Sequence, residues 1–312
     1  MPNPLGIYGA VLPVFLVIGL GAVLRAIGIL PREMDRGVLK LVVNVLIPCL
    51  ILDKMAGNPL VGQLPVLGIA AGVGYGAVAG AIFVSLLVGK WTGMKTGAGL
   101  RSFALGNGVQ NYGYIAIPII VALFPESPAL GVLFVHSLGV ELAIWTVGIM
   151  VLTGNRRFSF RTMLSGPVVA IFTGLLLAWT NLDTKVPGPL AGTVEMLGFC
   201  AIPMALILVG VTIADMAAGT QWSLRVLLGG GVLRLVVLPW LYIIPAYLIR
   251  DSYAAIATVF VVQAAMPSGN FPIVLARHYG GQPDVPIQLV VATTVGSLIS
   301  MPLWLGLGVS FL

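Results

Sequence analysis

The chain has 312 residues, of which 59% are hydrophobic and only 8% are charged, and its formal net charge is +6. A water-soluble domain carries about 25% charged residues, so the composition excludes a soluble globular protein and indicates an all-α polytopic membrane protein. Cys49 and Cys200 both lie in apolar runs and offer neither a disulfide framework nor metal-ligand spacing.

Ten apolar segments of bilayer-spanning length follow one another along the sequence. The predicted spans are residues 5–27, 37–56, 62–89, 99–123, 128–152, 160–181, 190–214, 224–249, 253–278 and 286–311. The first span lacks a basic leader and a small-residue cleavage site, so we interpret it as a mature transmembrane helix rather than a signal peptide. The sequence therefore predicts ten transmembrane helices joined by short connections.

The basic residues alternate from one connection to the next. The connections after odd-numbered spans hold twelve Lys or Arg residues, whereas those after even-numbered spans hold three, which are Lys54, Lys185 and Arg250. The positive-inside rule then places the odd-numbered connections in the cytoplasm and both termini outside the cell membrane. Because the basic residues are scattered between spans, they do not indicate a nucleic-acid-binding protein.

The second half of the sequence resembles the first at an offset of 155 residues. "IPCLIL" in span 2 aligns with "IPMALIL" in span 7, so that Pro48 matches Pro203, and both are expected to kink their helices. Ten spans divide into five and five, and an odd number in each half makes the second half enter from the opposite side. The sequence thus predicts an inverted repeat of residues 1–155 and 156–312, which is typical of secondary transporters. Chance similarity between apolar helices is the alternative, because Gly, Leu and Pro are common in this chain.

Spans 4 and 9, which are equivalent in the two halves, each contain a central cluster of Gly, Asn and Pro. The clusters read "LGNGVQNYGYIAIP", ending at Pro118, and "MPSGNFP", starting at Met266. Proline removes a backbone donor, glycine tolerates unwinding, and broken backbone survives at membrane depth only inside protein or around a watery cavity. We therefore predict that helices 4 and 9 are broken and cross, with half-helix N-termini that favour an anionic group; a simply kinked helix is the alternative. The residues expected to bind the substrate are Asn107, Gln110, Asn111, Tyr112, Pro118, Gln263, Pro267, Ser268, Gly269 and Asn270.

These residues carry a family resemblance. "NYGYIAIPII" and "QAAMPSGNFPIVLARHYGGQPDV" resemble the two crossover segments of the auxin efflux carrier (PIN-like) family, within the superfamily of bile-acid, auxin and arsenite transporters. The family's crossover asparagine, seven residues before a proline, matches Asn111 and Pro118, and its two span-9 prolines match Pro267 and Pro272. The likeness extends over essentially the whole chain.

The resemblance implies a fold like that of sodium–proton antiporters and bile-acid transporters. Helices 1, 2, 6 and 7 would form a scaffold, and helices 3–5 with 8–10 would form a mobile transport core that moves like an elevator, often within a homodimer. Plant exporters of the family carry a long hydrophilic central loop, whereas spans 5 and 6 here are joined by little more than "TGNRRFSF". This departure favours a short-loop prokaryotic member that moves dicarboxylates or similar metabolites rather than auxin.

Three ionisable residues lie deep in the predicted spans and are functional candidates. Glu141 in span 5 and Arg234 in span 8 lie at similar depth, so they form either a structural ion pair or a proton carrier and part of an anion site. His136 is either a titrating group or a satisfied histidine of the core or an interface.

The main hypothesis is a secondary active transporter that effluxes or exchanges a small organic anion, with a carboxylate as the expected substrate and protons as the expected coupling ion. A sodium-coupled organic anion symporter of the bile-acid type is the alternative. A membrane enzyme or sensor is a third class, but the chain has only two histidines and no "GxSxG" or two-histidine metal motif. We therefore expect no metal and no cofactor.

Overall fold

The computed structural model describes residues 4–95, 97–154, 164–217 and 222–312. It is all-α, with 80% of residues in helices and no strand in these ranges. The cations Arg156, Arg157 and Arg161, and most of the connection that contains them, lie outside the described residues.

The helices are numbered here in chain order over the described residues. They are α1 Pro4–Ala26, α2 Asp35–Leu41, α3 Ile47–Met55, α4 Leu64–Trp91, α5 Ala98–Gly108, α6 Ala116–Leu123, α7 Ala129–Ala143, α8 Ile149–Thr153, α9 Gly166–Thr180, α10 Gly188–Ala217, α11 Leu224–Val232, α12 Trp240–Ile249, α13 Ala254–Ala264, α14 Phe271–His278 and α15 Asp284–Val309. Three π-helical turns, Val42–Leu46, Ile144–Gly148 and Leu233–Val237, connect α2 to α3, α7 to α8, and α11 to α12.

Six helical stretches are long and apolar enough to cross a bilayer. They are Gly6–Ala26, Leu64–Trp91, Ala129–Thr153, Gly188–Met216, Leu224–Ile249 and Asp284–Val309. These stretches coincide with predicted spans 1, 3, 5, 7, 8 and 10, and they confirm a multi-pass membrane protein. Predicted spans 2, 4, 6 and 9 consist of shorter helices, so the count of ten stays a prediction.

The two matched prolines have different surroundings. Pro48 lies in the first turn of α3, directly after a π-helical turn, whereas Pro203 lies inside α10, which runs from Gly188 to Ala217 as one helix. A proline without an N–H disturbs the hydrogen bonds of the preceding turn, and a wider π turn is one way to accommodate it. The offset of 155 residues therefore matches the two prolines in sequence but not in local geometry.

Glycines bring two pairs of helices into backbone contact. Between α1 and α10, a Cβ added at Gly210 would lie 1.9 Å from the Ile18 carbonyl oxygen. Between α4 and α7, a Cβ added at Gly139 would lie 1.9 Å from the Ala71 carbonyl oxygen. Small residues permit this close approach, which is how helices pack without a hydrophobic driving force in lipid.

The helix contacts form two sets. In one set, α1 packs on α10, and α3 packs on both α9 and α10. In the other, α4 packs on α5 and α7, α13 packs on α7 and α12, and α15 packs on α5 and α11. Contacts of α1 with α6 and α15 join the sets. The second set contains both interrupted helices described next.

Candidate functional site

Two helices are interrupted at the predicted places. The first break lies between Gly108, the last residue of α5, and Ala116, the first of α6. The second lies between Ala264, the last residue of α13, and Phe271, the first of α14. Pro118 and Pro272 stand in the first turns of α6 and α14, where a missing N–H costs nothing because it has no partner within the helix.

The two breaks pair with each other through their backbones. Gln110 and Ser268 form an antiparallel bridge. The Asn111 N–H donates to the Pro267 carbonyl at 2.7 Å, and the Gly269 N–H donates to the Val109 carbonyl at 2.9 Å. Each break thus satisfies backbone groups that the other has freed, as a segment at membrane depth requires.

Neutral polar side chains surround this pairing and are almost completely buried. Gln110 donates from Nε2 to Gln263 Oε1 at 3.0 Å and also to the Tyr242 hydroxyl. Gln263 in turn donates from Nε2 to the Tyr112 carbonyl at 3.0 Å. Asn111 Oδ1 accepts from the Ile115 N–H at 3.3 Å. The side chains therefore tie the first break to both α12 and α13.

Several buried polar atoms at the breaks have no hydrogen-bond partner among the described residues. They are Asn107 Oδ1, Gln110 Oε1, Arg234 Nη2, Ser268 Oγ and Asn270 Oδ1. A buried polar atom without a partner costs about 1–3 kcal/mol, and its presence in a native structure calls for an explanation such as a ligand or ordered water. Five such atoms from five residues at the breaks make this region the candidate site.

Arg234 is a charged residue that reaches both breaks. It lies in the π-helical turn between α11 and α12 and is 1% exposed. Its Nε donates to the Met266 carbonyl and its Nη1 to the Asn107 carbonyl, both at 3.1 Å. The ion pairs of the described residues do not include one between Arg234 and Glu141. The guanidinium reaches backbone carbonyls on two broken helices instead.

Glu141 also has partners that connect it to both breaks. Its carboxylate accepts one hydrogen bond from the Tyr112 hydroxyl and another from Trp145 Nε1, the latter at 3.0 Å. The Trp145 ring lies edge-on to the ring of Phe271, the first residue of α14, with centroids 5.7 Å apart. Glu141 is therefore hydrogen-bonded to Tyr112 of the first break. Through Trp145 it is also connected to Phe271, which directly follows the second break.

His136 is a core histidine, but it is not a satisfied one. It is fully buried, and neither ring nitrogen has a hydrogen-bond partner among the described residues. Its ring packs against Tyr242 and Phe260, with centroid distances of 5.8 and 6.0 Å. It therefore contacts the site through Tyr242 and not directly.

The structure places the sequence-predicted residues of spans 4 and 9 in or beside the two breaks, with Arg234 and Glu141 bonded to them, whereas Pro48 and Pro203 lie in other helices. It also adds two residues that the sequence did not single out. Tyr242 accepts a hydrogen bond from Gln110, and Trp145 donates one to Glu141. No local signal marks either residue, since an aromatic residue in an apolar span is usually a packing residue. Both roles depend on helices that are distant in sequence.

One cavity of the structure lies away from the breaks. It has a volume of about 300 Å³ and includes Lys95 and Arg225 in its lining, at the start of α5 and α11. The α5 helix runs from this cavity to the first break, a distance of roughly 16 Å for its eleven residues. The described residues hold no group of three His, Cys, Asp or Glu that suits a metal ion.

Comparison with known proteins identifies a family and a relative. A family model described as "Membrane transport protein" matches residues 6–158 and 150–305 of the chain. An uncharacterized transporter of Methanothermobacter thermautotrophicus is 25% identical over 303 residues, which cover 94% of this chain and 96% of that relative. Both matches extend over the two breaks and the residues around them.

Proposed function

Because the chain belongs to the membrane transport protein family, which includes the auxin efflux carriers that its sequence resembles, we propose that it is a secondary active transporter of a small organic anion. The observation that carries the proposal is the backbone pairing of Gln110 with Ser268, surrounded by buried polar atoms without partners. Broken helices that meet in this way are the usual substrate site of secondary transporters. The family match favours a transporter over a membrane enzyme or a sensor.

The proposed architecture has ten membrane spans, arranged as two inverted repeats of residues 1–155 and 156–312, with both termini outside the cell membrane. Helices α1, α2–α3, α9 and α10 form the scaffold. The remaining helices form the transport core, in which the interrupted helices cross. The backbone contact at Gly210 supports a scaffold that is rigid between α1 and α10. Alternating access would follow from an elevator movement of the core against this scaffold, within a homodimer.

An anionic substrate is favoured by the charges at the breaks. Helices α6 and α14 begin there, and each helix N-terminus carries roughly half a positive charge. Arg234 adds a full positive charge, and its Nη2 has no partner among the described residues. A carboxylate that accepts from Nη2 would remove the cost of leaving that buried donor unpaired.

Proton coupling is proposed through Glu141. Its two carboxylate oxygens accept from Tyr112 and Trp145. A proton on this carboxyl would compete with one of those donors, so protonation would loosen either the first break or the aromatic contact to the second. This links the protonation state of Glu141 to the shape of the site without any direct contact with the substrate.

The cavity beside Lys95 and Arg225 is proposed as the approach of the substrate to the core from the cytoplasmic side. Two cations at the mouth of a cavity raise the local concentration of an anion. The cavity and the first break lie at opposite ends of α5.

A binding screen on purified protein tests the proposed function. Monocarboxylates, dicarboxylates and indole acids would be added separately, and the unfolding temperature would be measured. At least one class should raise this temperature in a saturable way and should also drive uptake into proteoliposomes. Neutral analogues, in which an amide replaces the carboxylate, serve as matched controls. Equal shifts by acids and amides would contradict an anion site.

A further inference from the structure

The carbonyl ends of both broken helices converge on one side chain. Asn107 lies in the last turn of α5, and Met266 lies just beyond the end of α13. Their carbonyl oxygens both accept from Arg234, at 3.1 Å from Nε and from Nη1. A helix C-terminus carries roughly half a negative charge, so two of them together present about one negative charge to the guanidinium.

In ion-coupled transporters, a different cation lies at the carbonyl ends of the broken helices. Unwound backbone carbonyls and the C-terminal ends of half-helices coordinate the coupling Na⁺ or H⁺. A guanidinium is always charged and carries its donors in a fixed planar fork, so it can fill the same electrostatic role permanently. Its side chain is 1% exposed and fully enclosed by protein.

We infer that Arg234 is a built-in cation that takes the place of a coupling metal ion at the carbonyl ends of the two broken helices. The inference rests on the proposed function in one respect only: if the protein is a transporter, its transport should not depend on Na⁺. It assigns Arg234 a positioning role through Nε and Nη1, and it leaves Nη2 available to the substrate. A site with this cation in place has no need of Na⁺ to hold the breaks together.

The test measures unfolding temperature and needs no substrate, so its outcome is independent of whether the transport proposal holds. Wild-type protein should unfold at the same temperature in NaCl and in choline chloride at equal ionic strength. Arg234→Ala should lower that temperature by roughly 5–10 °C, since it leaves two buried carbonyl ends without their cation. Arg234→Lys should lose less than Arg234→Met, because Lys keeps the charge and Met keeps only the bulk. Arg277→Ala, which removes an exposed arginine from α14, is the control and should change little.

Chemical complementation distinguishes the effect of the charge of Arg234 from the effect of its shape. Methylguanidinium at millimolar concentration should restore part of the unfolding temperature of Arg234→Ala, whereas neutral methylurea should not. Neither should act on Arg277→Ala. The inference is overturned if Arg234→Met is as stable as wild type, if methylurea restores as much as methylguanidinium, or if wild type is stabilised by Na⁺ over choline. The last comparison uses only wild-type protein, so the inference can be refuted even if the Arg234 variants do not fold.

Discussion

Gly269 lies so close to Gln110 that a Cβ added to the glycine would stand 2.7 Å from the Gln110 carbonyl oxygen. The same Gly269 donates its N–H to the Val109 carbonyl of the first break. The carbonyl of Gln110 is itself held by the Tyr112 N–H at 2.9 Å, so it is not free to move aside. The two breaks can approach this closely only because residue 269 has no side chain.

Gly269→Ala is therefore expected to separate the two breaks and to destabilise the protein by about 1–3 kcal/mol, the usual cost of overpacking. Substrate binding should fall as well, because the paired backbone lies at the centre of the proposed site. Differential scanning fluorimetry and a binding assay would measure the two effects. Gly113→Ala is the matched control, since a Cβ at Gly113 in the first break meets no atom within 4 Å. Equal behaviour of the two variants would show that the close approach is unimportant.

Asn111→Ala is expected to weaken substrate binding by about tenfold or more, which is the loss of one hydrogen bond to a charged group. Stability should fall by about 1 kcal/mol, because alanine keeps the backbone N–H that pairs the breaks but removes Oδ1, the acceptor of the Ile115 N–H. Isothermal titration on the purified variant would measure the affinity. The control is Asn44→Ala, which removes an exposed amide bonded to the Lys40 carbonyl. Wild-type affinity in Asn111→Ala would argue against a substrate site at the breaks.

Glu141→Gln is expected to remove the dependence of transport on the proton gradient. Glutamine cannot exchange a proton, but its carbonyl oxygen still accepts from either Tyr112 or Trp145, so the fold should survive with a modest loss of stability. Uptake into proteoliposomes at fixed substrate, with and without a pH gradient, would measure the change. Glu126→Gln, at an exposed position in the connection before α7, serves as the control. A variant that keeps the wild-type pH response would exclude Glu141 as the proton carrier.

Lys95→Gln is expected to raise the KM for anion uptake severalfold at low ionic strength when substrate is supplied from the side of the 300 Å³ cavity. The effect should disappear at about 0.5 M salt, because an exposed charge acts over a Debye length of only a few ångströms there. The maximal rate should stay unchanged, since Lys95 lies roughly a helix length from the breaks. Lys185→Gln, predicted to lie on the opposite side of the membrane, should have no effect from the cavity side. An unchanged KM in Lys95→Gln would show that the substrate does not approach the core through this cavity.

The interruptions could be predicted from the sequence because Gly, Asn and Pro act locally on the backbone. Pro118, Pro267 and Gly269 belong to clusters of Gly, Asn and Pro, and the cluster carries the information, since the single Pro203 lies inside the continuous helix α10. With the offset of 155 residues, Asn111 falls on position 266, next to Pro267. In the structure the Asn111 N–H bonds to the Pro267 carbonyl.

The partners of the charged residues could not be predicted in the same way. Arg234 bonds to carbonyls of residues 32 and 127 positions away, and every residue has a carbonyl, so no residue type marks the partner. An acid and a base at similar depth suggested an ion pair, but depth alone does not fix which helix face each side chain occupies. Tyr242 was missed for the same reason, because its hydroxyl meets Gln110 only after α12 has packed beside the break.

The joint between the two breaks consists of backbone hydrogen bonds from residues 109, 111, 267 and 269. Of these four positions, 269 alone requires glycine, because a Cβ there would clash with the Gln110 carbonyl oxygen. Side chains at the neighbouring positions can therefore change without undoing the joint. Related proteins could exchange one polar side chain for another and bind a different ligand while the backbone pairing stays the same. The joint would then stay constant among related proteins, and a change of ligand would not require a change of fold.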